Sequence, residues 1–223
     1  MNAYRGCTQN RCCRQFAVAL AITVAVIALV IRPLCAGSVT PPLIVVKQLV
    51  TRVLSIVNDK QMEQADKQKK LRELGAADFD FSEMSRLALG NAWRSLTTDQ
   101  RHRFVPLFTS FLQDAYLNKV QNYSGQEIQI IRARSTEPDY AQVSGRIVQQ
   151  GSDSIALAFS LRREGGAWKI YDVAVDNLST LGSYRTEFQR IMREKGFDEL
   201  MRQIRDRDRE LASTLGSPMG LPF

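Results

Sequence analysis

Two aspartates are the residues of this sequence that are best spaced for acid–base chemistry. Asp172 and Asp176 lie at the end of an alternating stretch, and side chains an even number of positions apart share one face of a β-strand. Two such carboxyl groups could act as general acid and general base in a cone-shaped domain of helices and a sheet. Aspartates in this position also cap the turn into a following helix or pair with arginine, and we favour that structural role.

Other groups that commonly carry out catalysis or bind metals are scarce. The one histidine, His102, lies between two arginines at the predicted start of a helix. A Ser-His-Asp triad would depend on His102, and no Gly-x-Ser-x-Gly motif accompanies it. Gly165 and Gly166 indicate a hairpin turn rather than a phosphate-binding loop. The sequence therefore predicts neither catalytic residues nor a metal or cofactor.

The first 36 residues have the layout of a secretory signal peptide. Arg5, Arg11 and Arg14 precede an uncharged run from Gln15 to Ile31, and cleavage is expected after about Ala36. The alternative is an uncleaved inner-membrane anchor. A helix made of this run would reach ~25 Å, which is short of the ~30 Å hydrocarbon core, so we favour cleavage and export to the periplasm.

Removal of this leader changes the charge and the cysteine count. The leader carries four arginines and no acidic residue, so the formal charge falls from +7 to about +3, which does not favour nucleic acid as a partner. We expect residues 37–215 to form a single domain that relies on its core rather than on disulfides, followed by a flexible tail at 216–223. All four cysteines lie in the leader, at Cys7, Cys12, Cys13 and Cys35.

Two helices with wide apolar faces are predicted between residues 79 and 125. Asp80 followed by Glu83, and Thr97 followed by Gln100, have the spacing of helix-capping pairs. A broad stripe of apolar and aromatic residues follows the second pair, and Pro106 within it predicts a kink or a late helix start. Other segments with helical periodicity are 43–57, 62–74 ending at Gly75, 184–195 and 198–212.

After Gly125 the periodicity becomes alternating, which predicts an antiparallel meander of four strands. The first strand contains Ile128 and Ile130, and the others cover 140–149, 154–162 and 168–175. The fold class is therefore α+β, with a four-stranded antiparallel sheet packed against N- and C-terminal helices. The apolar residues on the helices and the sheet either fill an ordinary core or surround an internal apolar pocket.

A set of short motifs extends through nearly the whole predicted mature chain. They include Phe79-Asp80-Phe81, Ala88-Leu89-Gly90, Trp93-Arg94, Tyr123-Ser124-Gly125, Trp168-Lys169-Ile170-Tyr171-Asp172-Val173 and Tyr184-Arg185. Together they resemble the MlaC family of periplasmic phospholipid-binding proteins, over about residues 42–205. Ser85 departs from the family pattern, in which alanine is usual. A related hopanoid-associated branch shares the fold, but the region of Tyr184 and Arg185 is more similar to the phospholipid carriers.

The resemblance implies a sheet curled against helices around an apolar cavity of lipid size. It also implies a monomeric, non-enzymatic shuttle for phospholipid in the periplasm. Its partners would be the substrate-binding subunit of an inner-membrane ABC transporter and an outer-membrane lipoprotein complex. The candidates for lining the cavity are Leu107, Phe108, Phe111, Tyr116, Val143, Ile147, Leu157, Phe159, Tyr171, Val173, Tyr184 and Phe188.

Three alternatives to a phospholipid carrier stay open at this point. The first is a family member that carries a hopanoid or another hydrophobic lipid. The second is a hydrolase or isomerase that uses Asp172 or Asp176 as its base. The third is a periplasmic adaptor with a solid core that binds only protein.

Overall fold

The computed structural model describes residues 40–121, 123–148 and 153–215. The predicted leader and the predicted tail at 216–223 lie outside these ranges and stay predictions. Within the described part of the chain, no helix is both long enough and apolar enough to cross a membrane.

Two of the helices in these ranges begin with the capping contacts that the sequence predicts. The backbone N–H of Glu83 donates to Oδ1 of Asp80 over 2.9 Å, and the N–H of Gln100 donates to Oγ1 of Thr97 over 3.2 Å. The helices are α1 (Pro42–Asn58), α2 (Gln64–Asp78), α3 (Phe81–Leu89), α4 (Ala92–Ser95), α5 (Thr98–Gln121), α6 (Thr180–Lys195) and α7 (Phe197–Leu215).

Several helix boundaries differ from the predictions, and α6 begins four residues earlier than predicted, at Thr180. α2 does not end at Gly75 but continues to Asp78, and the N–H of Phe79 donates back to the Gly75 carbonyl over 2.9 Å. α5 begins at Thr98 with Pro106 inside it, so the prediction of a late start is wrong. Pro106 is exposed, and a carbonyl that loses its donor there faces water, which makes the proline tolerable within the helix.

The sheet has five antiparallel strands in the order β1-β2-β3-β4-β5, and the prediction of four strands is therefore corrected. The extra strand forms because Asp176 and Asn177 both adopt positive φ, at 51° and 62°. This pattern is typical of a two-residue hairpin turn, which returns the chain alongside β4. The strands are β1 (Glu127–Glu137), β2 (Tyr140–Val148), β3 (Ile155–Glu164), β4 (Ala167–Val175) and β5 (Leu178–Ser179).

The buried apolar residues form two clusters. One is helical, is built from α3, α5, α6 and α7, and is centred on Phe104, Phe108 and Phe188. The other joins Val46 and Leu49 of α1 to the inner face of the sheet. We call them the helical cluster and the sheet cluster. The half-buried ring of Phe79 packs against both clusters and joins them just before α3 begins.

α2 is held in place differently from the other long helices, because none of its residues is fully buried. Polar contacts fasten it along its length instead, and Arg72 in its middle pairs with Asp114. Near its start, the amide of Gln68 donates to the Leu215 carbonyl over 2.9 Å. At its end, Asp78 accepts from Nη2 of Arg52 over 2.6 Å. Local opening of a helix that is held mainly by polar contacts costs less free energy than opening of a helix that is held by apolar burial.

Candidate functional site

A cavity of about 220 Å³ lies between the sheet cluster and helices α1, α2 and α5. Its lining is almost entirely apolar, so it suits a ligand that is itself apolar. The lining residues are Leu49, Val50, Val53, Leu54, Leu71, Arg72, Leu74, Gly75, Phe79, Phe81, Gln113, Tyr116, Leu117, Val120, Ile128, Phe159 and Val173.

The sheet side of the cavity follows from strand alternation. Phe159 on β3 lies opposite Val173 on β4 in the antiparallel register, so both side chains point to the same face. Ile128 on β1 adds a third side chain to that wall. The helix side comes from α1, where Val50, Val53 and Leu54 follow the spacing of one helical face. Two elements with different periodicities therefore present apolar surfaces to the same space.

Three aromatic rings border the cavity where α2 and α3 meet α5. The Phe79 ring stacks on Phe81 with 5.9 Å between centroids and lies 5.8 Å from the Tyr116 ring. The Tyr116 hydroxyl is buried and has no hydrogen-bond partner among the described residues. Burial raises the pKa of this phenol well above its ordinary value, so it stays protonated and keeps a donor available.

Two non-aromatic polar side chains, Arg72 from α2 and Gln113 from α5, complete the lining. Nη1 of Arg72 lies 2.5 Å from Oδ1 of Asp114, whose side chain is buried in α5. Asp208 of α7 lies close by, and its pKa is raised by burial and then by the negative charge of Asp114, with Arg72 acting in the opposite direction. The cavity wall thus contains one cation held by a buried carboxylate.

Comparison with known proteins places this architecture in a family. The family model described as MlaC protein matches residues 47–206, which is most of the chain. The chain belongs to the MlaC family. The match covers α2 to α6 completely, most of α1 and part of α7, and so all the elements that border the cavity.

Individual relatives are distant in sequence, and one solved structure shares the fold. The chain is 24% identical over 173 residues to the intermembrane phospholipid transport system binding protein MlaC of Haemophilus influenzae, covering 74% of this chain and 81% of that protein. It is 26% identical over 105 residues to the toluene tolerance protein ttg2D of Pseudomonas putida, covering 47% and 49%. The solved structure of a phospholipid-binding protein from Ralstonia solanacearum, in complex with a phospholipid, superposes with a TM-score of 0.68 at 21% identity, covering 78% of this chain and 99% of that one.

The residues that the sequence predicts for the MlaC cavity divide into two groups. Tyr116, Phe159 and Val173 line the cavity that the structure shows. The others lie in or against the two apolar clusters and outside this lining. Phe108, Phe111 and Phe188 are buried in the helical cluster with Leu107, Tyr171 and Tyr184 packed against it, whereas Val143 and Leu157 are buried in the sheet cluster with Ile147 packed against it.

Most of the lining comes from elements for which the sequence analysis offers no candidate. α1 contributes four residues, and its apolar face at Leu49, Val50 and Val53 is visible in the sequence as helical spacing. α2 contributes Leu71 and Leu74. Its composition of glutamine, lysine and glutamate indicates a solvated helix, and that signal hides the two leucines that face the cavity.

The two aspartates considered for catalysis are engaged in structural roles. Asp172 accepts a hydrogen bond from the Ser179 hydroxyl at 2.5 Å and one from the N–H of Leu181 at 3.3 Å, so it supports the start of α6, where Ser179 is the N-cap. Asp176 lies beyond the end of β4, in the turn with positive φ. The two carboxylates therefore do not share one strand as the alternation predicts. No cluster of three or more potential metal ligands occurs within the described ranges.

Proposed function

We propose that this MlaC-family protein is a carrier that encloses the acyl chains of a phospholipid in the cavity between α1, α2, α5 and the sheet. The observation that carries the proposal is the almost entirely apolar lining itself, to which α1, α2, α5 and the strands as far as Val173 on β4 all contribute. The relatives support it, because one is named as a phospholipid transport binding protein and a structural neighbour was solved with a bound phospholipid.

Enclosure is what the chemistry of a phospholipid in water requires. Two acyl chains carry roughly thirty CH₂ groups, and each costs about 0.8 kcal/mol when it is exposed to water. A carrier must therefore keep nearly all of that surface covered while it moves. It must also release its lipid along a continuous apolar path into a receiver, because release into water carries the same cost.

Opening of the cavity is part of this proposal. Ligand pockets usually have volumes of ~300–1,000 Å³, and this one has about 220 Å³, so its walls must move apart to accept two long chains. α2 is the wall that can move, because it contributes Leu71, Leu74 and Gly75 to the lining and has no fully buried residue. We expect α2 to shift outward when lipid enters.

The predicted signal peptide supports a location in the periplasm. There we propose that the protein receives lipid at one membrane and delivers it at the other, with an outer-membrane lipoprotein complex and the substrate-binding subunit of an inner-membrane ABC transporter as its partners. Val143, Ile147 and Leu157, which the sequence predicts for the cavity and which lie in or against the sheet cluster, belong to the same proposal, since they become available for lipid contact as the cavity widens. The predicted residues of the helical cluster stay packed against one another.

Lipid extraction tests the carrier function directly. The protein is expressed in bacteria with its own leader, purified from the periplasm without detergent and extracted with organic solvent, and the extract is analysed by mass spectrometry. We expect about one phospholipid per molecule. A Val53→Trp variant fills the cavity and should lower this ratio several-fold, whereas Val105→Trp, on the part of α5 outside the lining, should leave it unchanged.

The outcomes of this test separate the alternatives. Recovery of no lipid from natively folded protein would overturn the carrier function. Recovery of a hopanoid or another neutral lipid in place of phospholipid would change the ligand class while keeping the carrier. Equal lipid content in the Val53→Trp variant and the wild type would show that lipid binds somewhere other than this cavity.

A further inference from the structure

We propose that Arg72 binds the phosphate of the carried lipid, so that this cavity selects phosphate-bearing lipids over neutral ones with the same chains. The inference rests on the proposed carrier function and assigns a headgroup site to it. It starts from one observation: Arg72 is the only charged side chain in the lining of the described cavity.

Arg72 lies at the boundary between the apolar cavity and water. Its side chain is 35% exposed, although it contributes to the lining together with its neighbour Leu71. A phospholipid is divided in the same way into an apolar and a polar part, with its phosphate next to the apolar chains. If the chains fill the cavity, the phosphate therefore comes to rest where the lining meets solvent, beside this guanidinium.

The guanidinium has donors available for such a ligand. Nη1 faces Asp114 at 2.5 Å, and Arg72 makes no other ion pair within the described residues. A guanidinium carries five N–H donors in a planar fork that matches two phosphate oxygens. Nε and Nη2 can therefore bind a phosphodiester while Nη1 keeps its contact with Asp114.

Asp114 and Gln113 give this site its geometry. Asp114 is 3% exposed, so its carboxylate attracts the guanidinium from the protein side. The Gln113 amide nitrogen lies 3.9 Å from the position that a Cβ on Gly75 would occupy, and this places a neutral donor on the same wall one helical turn from Arg72. Asp208 is a second acidic group close enough to interact with both Asp114 and Arg72. These carboxyls oppose an incoming anion, so the site should bind phosphate reversibly, as a carrier requires.

The test compares two water-soluble probes with identical chains, dioctanoyl phosphatidylglycerol and dioctanoylglycerol. Each is titrated calorimetrically into full-length exported protein that has been freed of lipid. The wild type should bind the phosphate-bearing probe about tenfold more tightly, as expected for a charge-assisted hydrogen-bonded pair. Arg72→Gln should reduce that preference to about twofold or less while binding the neutral probe as the wild type does.

Two further variants distinguish phosphate binding from a general effect of charge or stability. Lys70→Gln removes the same charge from an exposed position on α2 outside the lining and should keep the wild-type preference. Asp114→Asn removes the competing carboxylate and should increase the preference for phosphate. A purely structural role for the ion pair predicts the opposite result for Asp114→Asn, namely weaker binding of both probes.

The possible outcomes of these titrations distinguish failure of the carrier function from failure of the phosphate site. Failure of the wild type to bind either probe counts against the carrier function itself. Equal binding of both probes by the wild type, or a full preference retained by Arg72→Gln, overturns the phosphate site and leaves the carrier function intact. Loss of both probes in Arg72→Gln assigns Arg72 a structural role and likewise overturns the site.

Discussion

Asp80 and Arg162 form an ion pair that ties the helices to the sheet. Nε of Arg162 on β3 donates to Oδ2 of Asp80 over 2.5 Å, while Oδ1 of the same carboxylate caps α3. The backbone N–H of Asp80 donates to the Ile170 carbonyl. The Asp80 residue is only 6% exposed. One buried side chain therefore satisfies a helix start and a strand arginine at the point where the two clusters meet.

Removal of this carboxylate should be strongly destabilising. Asp80→Ala leaves Arg162 without its buried partner and α3 without its cap, and we expect a loss of about 3–5 kcal/mol in the free energy of unfolding. Urea denaturation followed by circular dichroism measures this loss in the free energy of unfolding. Asp99→Ala is the matched control, because the Asp99 side chain is 77% exposed and 3.7 Å from Arg103, and it should cost no more than about 1 kcal/mol. Similar losses in the two variants would contradict this account.

The contact between Glu187 on α6 and Arg207 on α7 predicts a dependence of stability on pH. Hydrogen bonds from Arg207, at 2.6 and 2.9 Å, lower the pKa of Glu187 below its ordinary value. A carboxyl with a lowered folded-state pKa contributes stability above its unfolded pKa of about 4.3, and this contribution is lost as the pH falls through the folded value.

The Glu187→Gln variant tests this dependence. At pH 7 it should be less stable than the wild type by at most about 1 kcal/mol, because the pair is partly exposed. The difference should shrink steadily as the pH falls below about 4.3. Urea unfolding curves recorded between pH 7 and pH 3 give both values. A difference that stays constant over this range would show that the ion pair contributes nothing.

The α2 helix should open more readily when its polar contacts are removed. Asp78→Asn weakens the contact with Arg52 at the end of α2. We expect faster amide hydrogen exchange in residues 64–78, with a change in global stability below about 1 kcal/mol. Hydrogen exchange followed by mass spectrometry resolves the helix. The control is Asp206→Asn, which affects a surface contact with Arg202 on α7. Faster exchange throughout the protein would argue against independent movement of α2.

Phe188 should contribute strongly to the stability of the fold and little to the amount of lipid that the protein binds. Its ring is buried and lies 5.4 Å from Phe108 and 6.2 Å from Phe104, outside the cavity lining. Phe188→Ala should therefore cost about 3–5 kcal/mol. Lipid per folded molecule, measured by extraction and mass spectrometry, should stay near the wild-type ratio. Leu178→Ala is the control, because Leu178 is 72% exposed, and it should change stability by less than about 0.5 kcal/mol.

A fall in lipid per folded Phe188→Ala molecule would contradict this division of roles. It would mean that the helical cluster opens to the ligand and that the aromatic stripe of α5 contacts lipid.

Local signals in the sequence were sufficient for most of the elements and for two helix caps. Asp80 and Thr97 cap their helices as their spacing predicts, because a capping pair depends on residues three positions apart. The fifth strand was missed, since it depends on left-handed backbone at Asp176 and Asn177, and neither residue is a glycine that would mark it. The end of α2 was misplaced because Gly75, a common helix terminator, here continues the helix.

What the sequence by itself determined is the class of fold, the family and the apolar face of each element, because periodicity and motifs are properties of neighbouring residues. What only the tertiary structure decided is which apolar faces meet one another and which border empty space. Phe108 and Phe159 have the same character in the sequence, yet Phe108 is enclosed in the helical cluster, whereas Phe159 belongs to the sheet cluster and also lines the cavity. Periodicity gives the direction of a side chain but not what lies opposite it, and that depends on contacts between residues far apart in the chain.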